Sequence, residues 1–424
     1  MQAIIKRMVL TASLLAGFAG AARAQQALTW DEVRARFEAN NPVLRAGQIG
    51  IDESKANEIT AYLRPNPQFT LLTDGTQIVR SHGVWQPFSG TLVTPSLSYL
   101  HERAHKRELR LESAQKATDM AVSGEADLER GLLFTLRGAF VSTLQAEAVL
   151  HLVEANLKYW DEVLKISRDR FAAGDLAQID LDRLELQRVQ FESDVQTAEV
   201  NLRTAKIQLL MLLDDRAPVD QFNVTGLYDY NDQLKPLDEF RQIAMDNRPD
   251  LRVAIQSADK ARTDHQLAVS NGSIDPTFSG WYTYNSSFSN PNAHQTIGAS
   301  VSIPLRIFDR NQGEKLRTQL DIDRNDKLLD AARAQVFNDV DSAYAVVNSN
   351  LILLRPYKAK YLELATRVRE TVRFSYEHGG AALLDFLSAE NDYRSVQLNY
   401  INLMGAYLLA AGQLNLAVGK EVIQ

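Results

Sequence analysis

Between Pro95 and Pro218 the chain contains no proline, and through most of that stretch apolar residues return in alternating steps of four and three. Leu132, Leu136, Ala139, Thr143, Ala146, Leu150, Val153, Leu157, Trp160 and Leu164 make one stripe, which runs on through Ser167 to Phe171. That spacing keeps one edge of a helix apolar and predicts a coiled-coil rod. From about His101 to Phe171 the rod is about 70 residues long, or roughly 105 Å. It cannot bury its stripe alone. The stripe resumes after Gly174 as Leu181, Leu184, Arg188, Phe191, Val195, Ala198, Leu202 and Ala205, so the chain folds back on itself across a short turn.

The turn occurs twice. Arg170-Phe-Ala-Ala-Gly-Asp-Leu-Ala-Gln-Ile-Asp180 is echoed by Ser375-Tyr-Glu-His-Gly-Gly-Ala-Ala-Leu-Leu-Asp385. In each copy an aromatic (Phe171, Tyr376) closes a stripe and a glycine (Gly174, Gly379) breaks the helix as a left-handed C-cap. An aspartate (Asp180, Asp385) is then expected to open the next helix as its N-cap. The surroundings repeat as well. Asn40-Asn-Pro42-Val-Leu44 returns as Asn247-Arg-Pro249-Asp-Leu251, Pro67-Gln-Phe69 as Pro276-Thr-Phe278, and Arg107-Glu-Leu-Arg110 as Glu314-Lys-Leu-Arg317. Two repeats follow, at about 30–213 and 237–419, with a less regular segment at 214–247 and a possible short strand at Phe222 to Tyr228. The second rod carries Val336, Val340, Ala343, Val347, Asn350 and Leu354, and Pro356 should disturb it locally. The last helix is striped by Leu383, Phe386, Glu390, Tyr393, Gln397, Tyr400 and Met404.

Each repeat also holds a strand pair. In the first, spanning 65–100, Pro67 to Thr73 and Ser89 to Tyr99 are short runs around a loop with Gly75, Gly83 and Pro87. In the second, spanning 276–304, Thr277 to Asn285 and Gln295 to Ile303 flank a polar tip at Ser286 to His294. Ile297, Ala299, Val301 and Ile303 share one strand face, and Phe278, Tyr282 and Tyr284 share a face of the partner. Strands of that length, apolar on one side and polar on the other with aromatics near the ends, are the signature of a membrane β-barrel.

The N-terminus agrees with export. Lys6-Arg7, the apolar run Met8 to Phe18 and Ala22-Arg-Ala24 read as a removable signal peptide at 1–24, leaving 25–424. The chain has no cysteine, so a disulfide, a thiolate metal site and an acylated cysteine are all excluded. Beyond the leader no run reaches the ~18 apolar residues of a membrane helix, so a span must be made of strands. A net charge of −7 argues against nucleic acid as a partner. Only four barrel-length strands are available per chain, whereas closed membrane barrels need at least about eight. Several chains must combine.

The leader, the duplicated helix–strand–strand–helix–helix plan and the two turn motifs resemble the TolC-type outer-membrane efflux proteins over nearly all of the mature chain. Ile303-Pro-Leu-Arg-Ile-Phe-Asp-Arg-Asn-Gln-Gly313-Glu, with His105-Lys-Arg-Glu-Leu-Arg110, is similar to the members serving cobalt, zinc and cadmium efflux. The resemblance implies a mainly α fold of long antiparallel helical hairpins forming an α-helical barrel, with the four strands contributing to a trimeric transmembrane β-barrel. It implies an outer-membrane exit duct reaching into the periplasm, a homotrimer in outer-membrane lipid, working with a periplasmic adaptor and an inner-membrane RND transporter. The segment at 214–247, with the C-terminus, corresponds to the family's equatorial region.

On the same resemblance Asp385 falls on the family's acidic gate ring, with Asp180 as N-cap or as part of the gate's hydrogen-bond network. The family's second gate acid is Ser388 here and its bridging arginine is Ala381. Gly174, Asp175 and Leu176, with Gly379, Gly380 and Ala381, correspond to tips that dock the adaptor.

The remaining candidates have plainer readings. His101 and His105 have the i, i+4 spacing of a metal pair, or form a solvated helix start. Asp309-x-x-Gln312 resembles a capping box opening the second rod, and Asp309 and Glu314 read as capping residues rather than ligands. Neither a phosphate loop nor a catalytic triad is present, so no cofactor and no enzymatic activity are expected. Heavy-metal cations are the expected cargo. The alternatives are drugs, polypeptides in type I secretion, or a periplasmic coiled-coil scaffold without a barrel.

Overall fold

The computed structural model describes residues 27–286 and 294–423. The expected signal peptide and most of the Ser286 to His294 tip lie outside the described residues. In chain order come α1 (Trp30–Asn40), α2 (Pro42–Tyr62), β1 (Gln68–Asp74), β2 (Leu92–Leu100), α3 (Lys106–Ala173) and α4 (Gln178–Leu212). A second series follows as α5 (Leu237–Asn247), α6 (Pro249–Asn271), β3 (Thr277–Asn285), β4 (Gln295–Ser302), α7 (Gln312–Pro356), α8 (Leu362–Glu377) and α9 (Leu383–Val418).

Local chemistry sets most of these boundaries. Pro42 and Pro249 stand at first helical positions, where a missing N–H costs nothing. Asn41 caps α2 by accepting from the Val43 and Leu44 amides at 2.9 and 3.2 Å. After Pro356 the α-helix gives way to a π turn at Tyr357–Tyr361, the disturbance expected where a ring replaces a backbone donor. Leu351, rather than Asn350, is the buried residue of the α7 stripe there.

Several sequence expectations need correction. The helix expected from His101 starts at Lys106, because Ala104 and His105 hold positive φ angles of 56° and 55°. Asp275 accepts the Arg103 amide at 2.9 Å and pairs with Lys106, which fixes this crossing from outside the helix. His101 and His105 therefore share no helical face.

Nor does Asp309 open a capping box. Its Oδ1 accepts the Asn311 amide at 2.8 Å, and Asn311 is left-handed at φ 62°, so α7 begins only at Gln312. Glu314 accepts from Arg317 at 2.7 Å instead of capping. Third, the strand expected at Phe222 to Tyr228 shrinks to one parallel bridge between Leu28 and Val224, with the Phe222 and Val224 side chains buried in the core.

The four strands form one antiparallel sheet in the order β1-β2-β3-β4. Its register gathers most of the large apolar residues on one face and most of the hydroxyls on the other, where Leu72 and Trp281 also lie. Phe69 opposes Leu97, Tyr99 opposes Phe278, and Phe278 and Tyr282 oppose Val301 and Ile297, so these share one face. Thr70, Ser96, Ser98, Ser279, Thr283, Thr296 and Ser300 share the other. The first strand pair is shorter than expected, since Ser89 to Thr91 belong to the turn. Pro95 interrupts the ladder within β2, an inner strand, and beside it the Thr94 and Thr283 hydroxyls meet at 3.1 Å. Among the described residues, β1 and β4 have no outer partner.

The chain divides into two compact units that do not follow the repeat boundary. One gathers the residues up to Arg45, Glu129–Asn247 and Asn338 onward. Its largest fully buried side chains are aromatic, with Phe37, Phe222 and Phe240 among them and Trp160 and Phe386 in a second cluster. The other holds Ala46–Leu128 and Arg248–Phe337 and contains the sheet. Its helices meet through small and polar groups instead. Ala258, Ala261 and Ala268 are buried, Lys116 donates to Thr263 at 2.7 Å, Thr263 donates to Glu112 at 2.9 Å, and Ser257 donates to Asn325 at 2.9 Å.

Phe222→Ala empties a fully buried site and should cost about 3–5 kcal/mol, read as a lowered denaturant midpoint. Leu227→Ala, at an exposed position of the same segment, should change it by less than about 0.5 kcal/mol.

Candidate functional site

The two turns are built alike. In the first, Gly174 holds φ 85°; its amide donates to Phe171 O at 3.0 Å and the Asp175 amide to Arg170 O at 2.9 Å. In the second, Gly379 holds φ 77°; its amide donates to Tyr376 O at 3.1 Å and the Gly380 amide to Ser375 O at 2.7 Å. Both are Schellman closures, in which a left-handed residue lets the chain satisfy the last helical carbonyls. A side chain at either glycine would point into open space.

The aspartates sit one turn further in than expected. The N-caps are Ala177 and Ala382, so Asp180 and Asp385 are both third-position residues of their helices. An alanine offers no side-chain oxygen, and only half of a capping box forms: Asp385 Oδ2 accepts the Ala382 amide at 3.3 Å. Asp180 lies 3.9 Å from Arg183, an exposed pair of small value. Asp385 is exposed and Asp180 half-buried. Gly174, Asp175, Gly379 and Gly380 are exposed, while Leu176 and Ala381 occupy equivalent places and pack inward.

What they pack on joins the two hairpins. Trp160 lies between Phe191 at 5.0 Å and Phe386 at 6.0 Å, and Phe386 stacks on Tyr376 at 4.9 Å with the rings 9° apart. The Trp160 indole N–H donates to Leu184 O at 3.0 Å, so its polar atom is satisfied inside the core. Arg170 lies over the Tyr376 ring and Arg394 over Phe191, where Arg394 also pairs with Asp194. The stripe ends differ: Tyr376 is 8% exposed, whereas Phe171 is 38% exposed and outside the cluster.

Beside the aromatic stack lies a polar layer that sequence reasoning missed as a site. Glu390, only 4% exposed, accepts from the Tyr159 hydroxyl at 2.9 Å. Arg369 lies 3.9 Å from the Tyr393 ring centroid and 4.9 Å from that of Tyr159, and bonds Glu370 at 2.8 Å. Burial lifts the Glu390 carboxyl above the ordinary glutamate value; the Tyr159 bond and the Arg369 and Arg373 charges offset this in part. Burial likewise raises the Tyr159 hydroxyl, and the Glu390 charge adds to it. The signal was present in the sequence, since a glutamate occupies a core position of the α9 stripe. Among the described residues no group of three or more His, Cys, Asp or Glu side chains could hold a metal ion.

Residues 240–420 match the outer membrane efflux protein family. The chain is 21% identical over 405 residues to the cobalt-zinc-cadmium resistance protein CzcC of Cupriavidus metallidurans, covering 93% of this chain and 90% of that one. It is 23% identical over 363 residues to the outer membrane protein TolC of Vibrio cholerae, covering 83% and 82%. Among solved structures, CusC shares the fold with a TM-score of 0.78 at 16% identity over 92% of each chain.

Two variants test this geometry. Gly379→Ala meets no atom, so its cost of about 1–2 kcal/mol comes from the left-handed backbone alone and should appear as a lowered unfolding midpoint. Glu390 holds its proton at a higher pH folded than unfolded. Its contribution is therefore complete below the ordinary glutamate value and is lost as pH rises through the raised value. Glu390→Gln keeps an oxygen for Tyr159 and should flatten the rise in melting temperature that the wild type shows on acidification from neutral pH.

Proposed function

We propose that this chain, whose residues 240–420 match the outer membrane efflux protein family, is the outer-membrane exit duct of a three-part efflux pump whose cargo is heavy-metal cations. The observation that carries the reading is the sheet. One face gathers Phe69, Leu97, Phe278, Tyr282, Ile297 and Val301 in register, and both edge strands lack partners among the described residues. Four strands with an apolar face suit a share of a closed barrel in lipid, and three chains supply twelve. The duct is therefore a homotrimer in the outer membrane, extending into the periplasm.

The paired turns supply the rest of the reading. Exposed Gly174, Asp175, Gly379 and Gly380 offer bare backbone to the helical hairpins of a periplasmic adaptor, which links the duct to an inner-membrane RND transporter. Asp385 points its charge outward from the first turn of α9, and three copies about a symmetry axis form a carboxylate ring that attracts cations by its field. The shared stack of Trp160, Phe386 and Tyr376 makes the two hairpins of a protomer move together. Opening is then a movement between protomers. The cargo assignment rests on the likeness to the cobalt-zinc-cadmium protein and on the Ile303 to Glu314 stretch.

A deletion strain should become sensitive to zinc, cobalt and cadmium, and the wild-type gene should restore tolerance. Unchanged metal tolerance with a new sensitivity to drugs would replace the cargo assignment. A paired Gly174→Arg, Gly379→Arg variant should form heat-modifiable trimers in the outer-membrane fraction yet fail to restore tolerance. Full tolerance in that strain would remove the docking role from the turns.

A further inference from the structure

Three of the crossings between strands and helices meet at one recess of about 620 Å³. Arg103 comes from the β2 to α3 crossing, Gly272 and Ser273 from α6 to β3, Arg306 and Arg310 from β4 to α7, and Lys315 from the first turn of α7. None of these four cations forms an ion pair among the described residues. The carboxylates nearby are engaged elsewhere: Asp275 with Lys106 and the Arg103 amide, Glu314 with Arg317, and Asp309 with the Asn311 amide. Asp275 does feel the charge of Arg306, but as a carboxylate already paired with Lys106.

The recess is shaped as well as charged. A Cβ on Gly272 would stand 2.6 Å from Lys315 Nζ, so the glycine is what lets the ammonium lie against this backbone. Ser273 Oγ is buried in the same wall with no hydrogen-bond partner. Four uncompensated cations and an unused hydroxyl fit an anion with several oxygens, which is the chemistry of a phosphate.

The loop carrying two of the arginines identifies the source. It reads Ile303-Pro-Leu-Arg-Ile-Phe-Asp-Arg310, and its apolar side chains face outward, with Leu305 77% and Phe308 89% exposed. Apolar residues interleaved with arginine where strands end is the pattern of a segment seated at a bilayer surface, rings and aliphatics toward the acyl chains and guanidinium groups toward the headgroups. A soluble anion would need only the charges. We propose that this recess binds the phosphate of an anionic phospholipid in the leaflet nearest the helices, an inference that rests on the membrane reading above.

The test uses the full-length trimer purified in detergent and native mass spectrometry with added phosphatidylglycerol. The wild type should hold the lipid, and Arg306→Gln, Arg310→Gln, Lys315→Gln together should weaken it roughly a hundredfold, at a factor of about five per charge. A second triple variant, Arg324→Gln, Lys327→Gln, Arg333→Gln, carries the same change in net charge on α7 outside the recess and should bind as the wild type does. Equal loss in both variants, or displacement of the lipid by inorganic phosphate at comparable concentration, would overturn the site. So would dissociation of the recess variant into monomers, since the cations would then serve a contact between protomers. A wild type that forms no heat-modifiable trimer would overturn the duct itself, whereas a sound trimer with no preference for the lipid over the recess variant overturns only the inference drawn here.

Discussion

A β-sheet with one apolar face and two open edges cannot remain alone. Each unpaired strand leaves a row of N–H and C=O groups that must find water or another strand, and in lipid water is not available. The four strands of this chain carry that problem in its full form, because their register places Phe69, Leu97, Phe278 and Val301 on one side while β1 and β4 end the sheet. Everything proposed about assembly, from the trimer to the duct, follows from the need to close this sheet. Beside the proline at position 95 the Thr94 and Thr283 hydroxyls bond across β2 and β3.

The two compact units solve packing in different ways. In the unit with the hairpins, large rings are interleaved across four helices, and the Trp160 indole is satisfied by a backbone carbonyl. Such a core resists internal shear because its rings have few alternative arrangements. In the unit with the sheet, alanines allow close helix approach and Thr, Ser, Lys, Glu and Asn side chains exchange hydrogen bonds. A polar interior of that kind holds only while every partner is present. The ring cluster lies directly behind the two turns and joins both hairpins, which is why the proposed opening is referred to whole protomers.

Much of this was legible in order along the chain. The four-and-three stripe puts Trp160, Leu164, Leu184 and Phe191 in the core, and the strand alternation puts Phe278 with Tyr282 and Ile297 with Val301. Both turn glycines are left-handed, as their place after a stripe implied. The errors share a cause. Asp180 and Asp385 were placed at the N-cap because their type favours it, yet Ala177 and Ala382 occupy that position and the aspartates serve from within the first turn. α3 and α7 start later than the stripes imply because His105 and Asn311 are left-handed, beside the Asp275 bonds to Arg103 and Lys106 and the Asp309 bond to the Asn311 amide, contacts that no helical pattern announces.

Periodicity by itself determined where the helices and strands lie and which face of each is apolar, because burial repeats with the geometry of the backbone. It also set the expectation that several chains combine, since four strands fall short of a closed barrel. Only the tertiary structure decided which elements share a core, that Glu390 is buried against Tyr159 beneath two arginines, and that cations from separate crossings line one recess. Those features join residues far apart in the chain, and their energies depend on burial and on the charges around them, which no local pattern encodes.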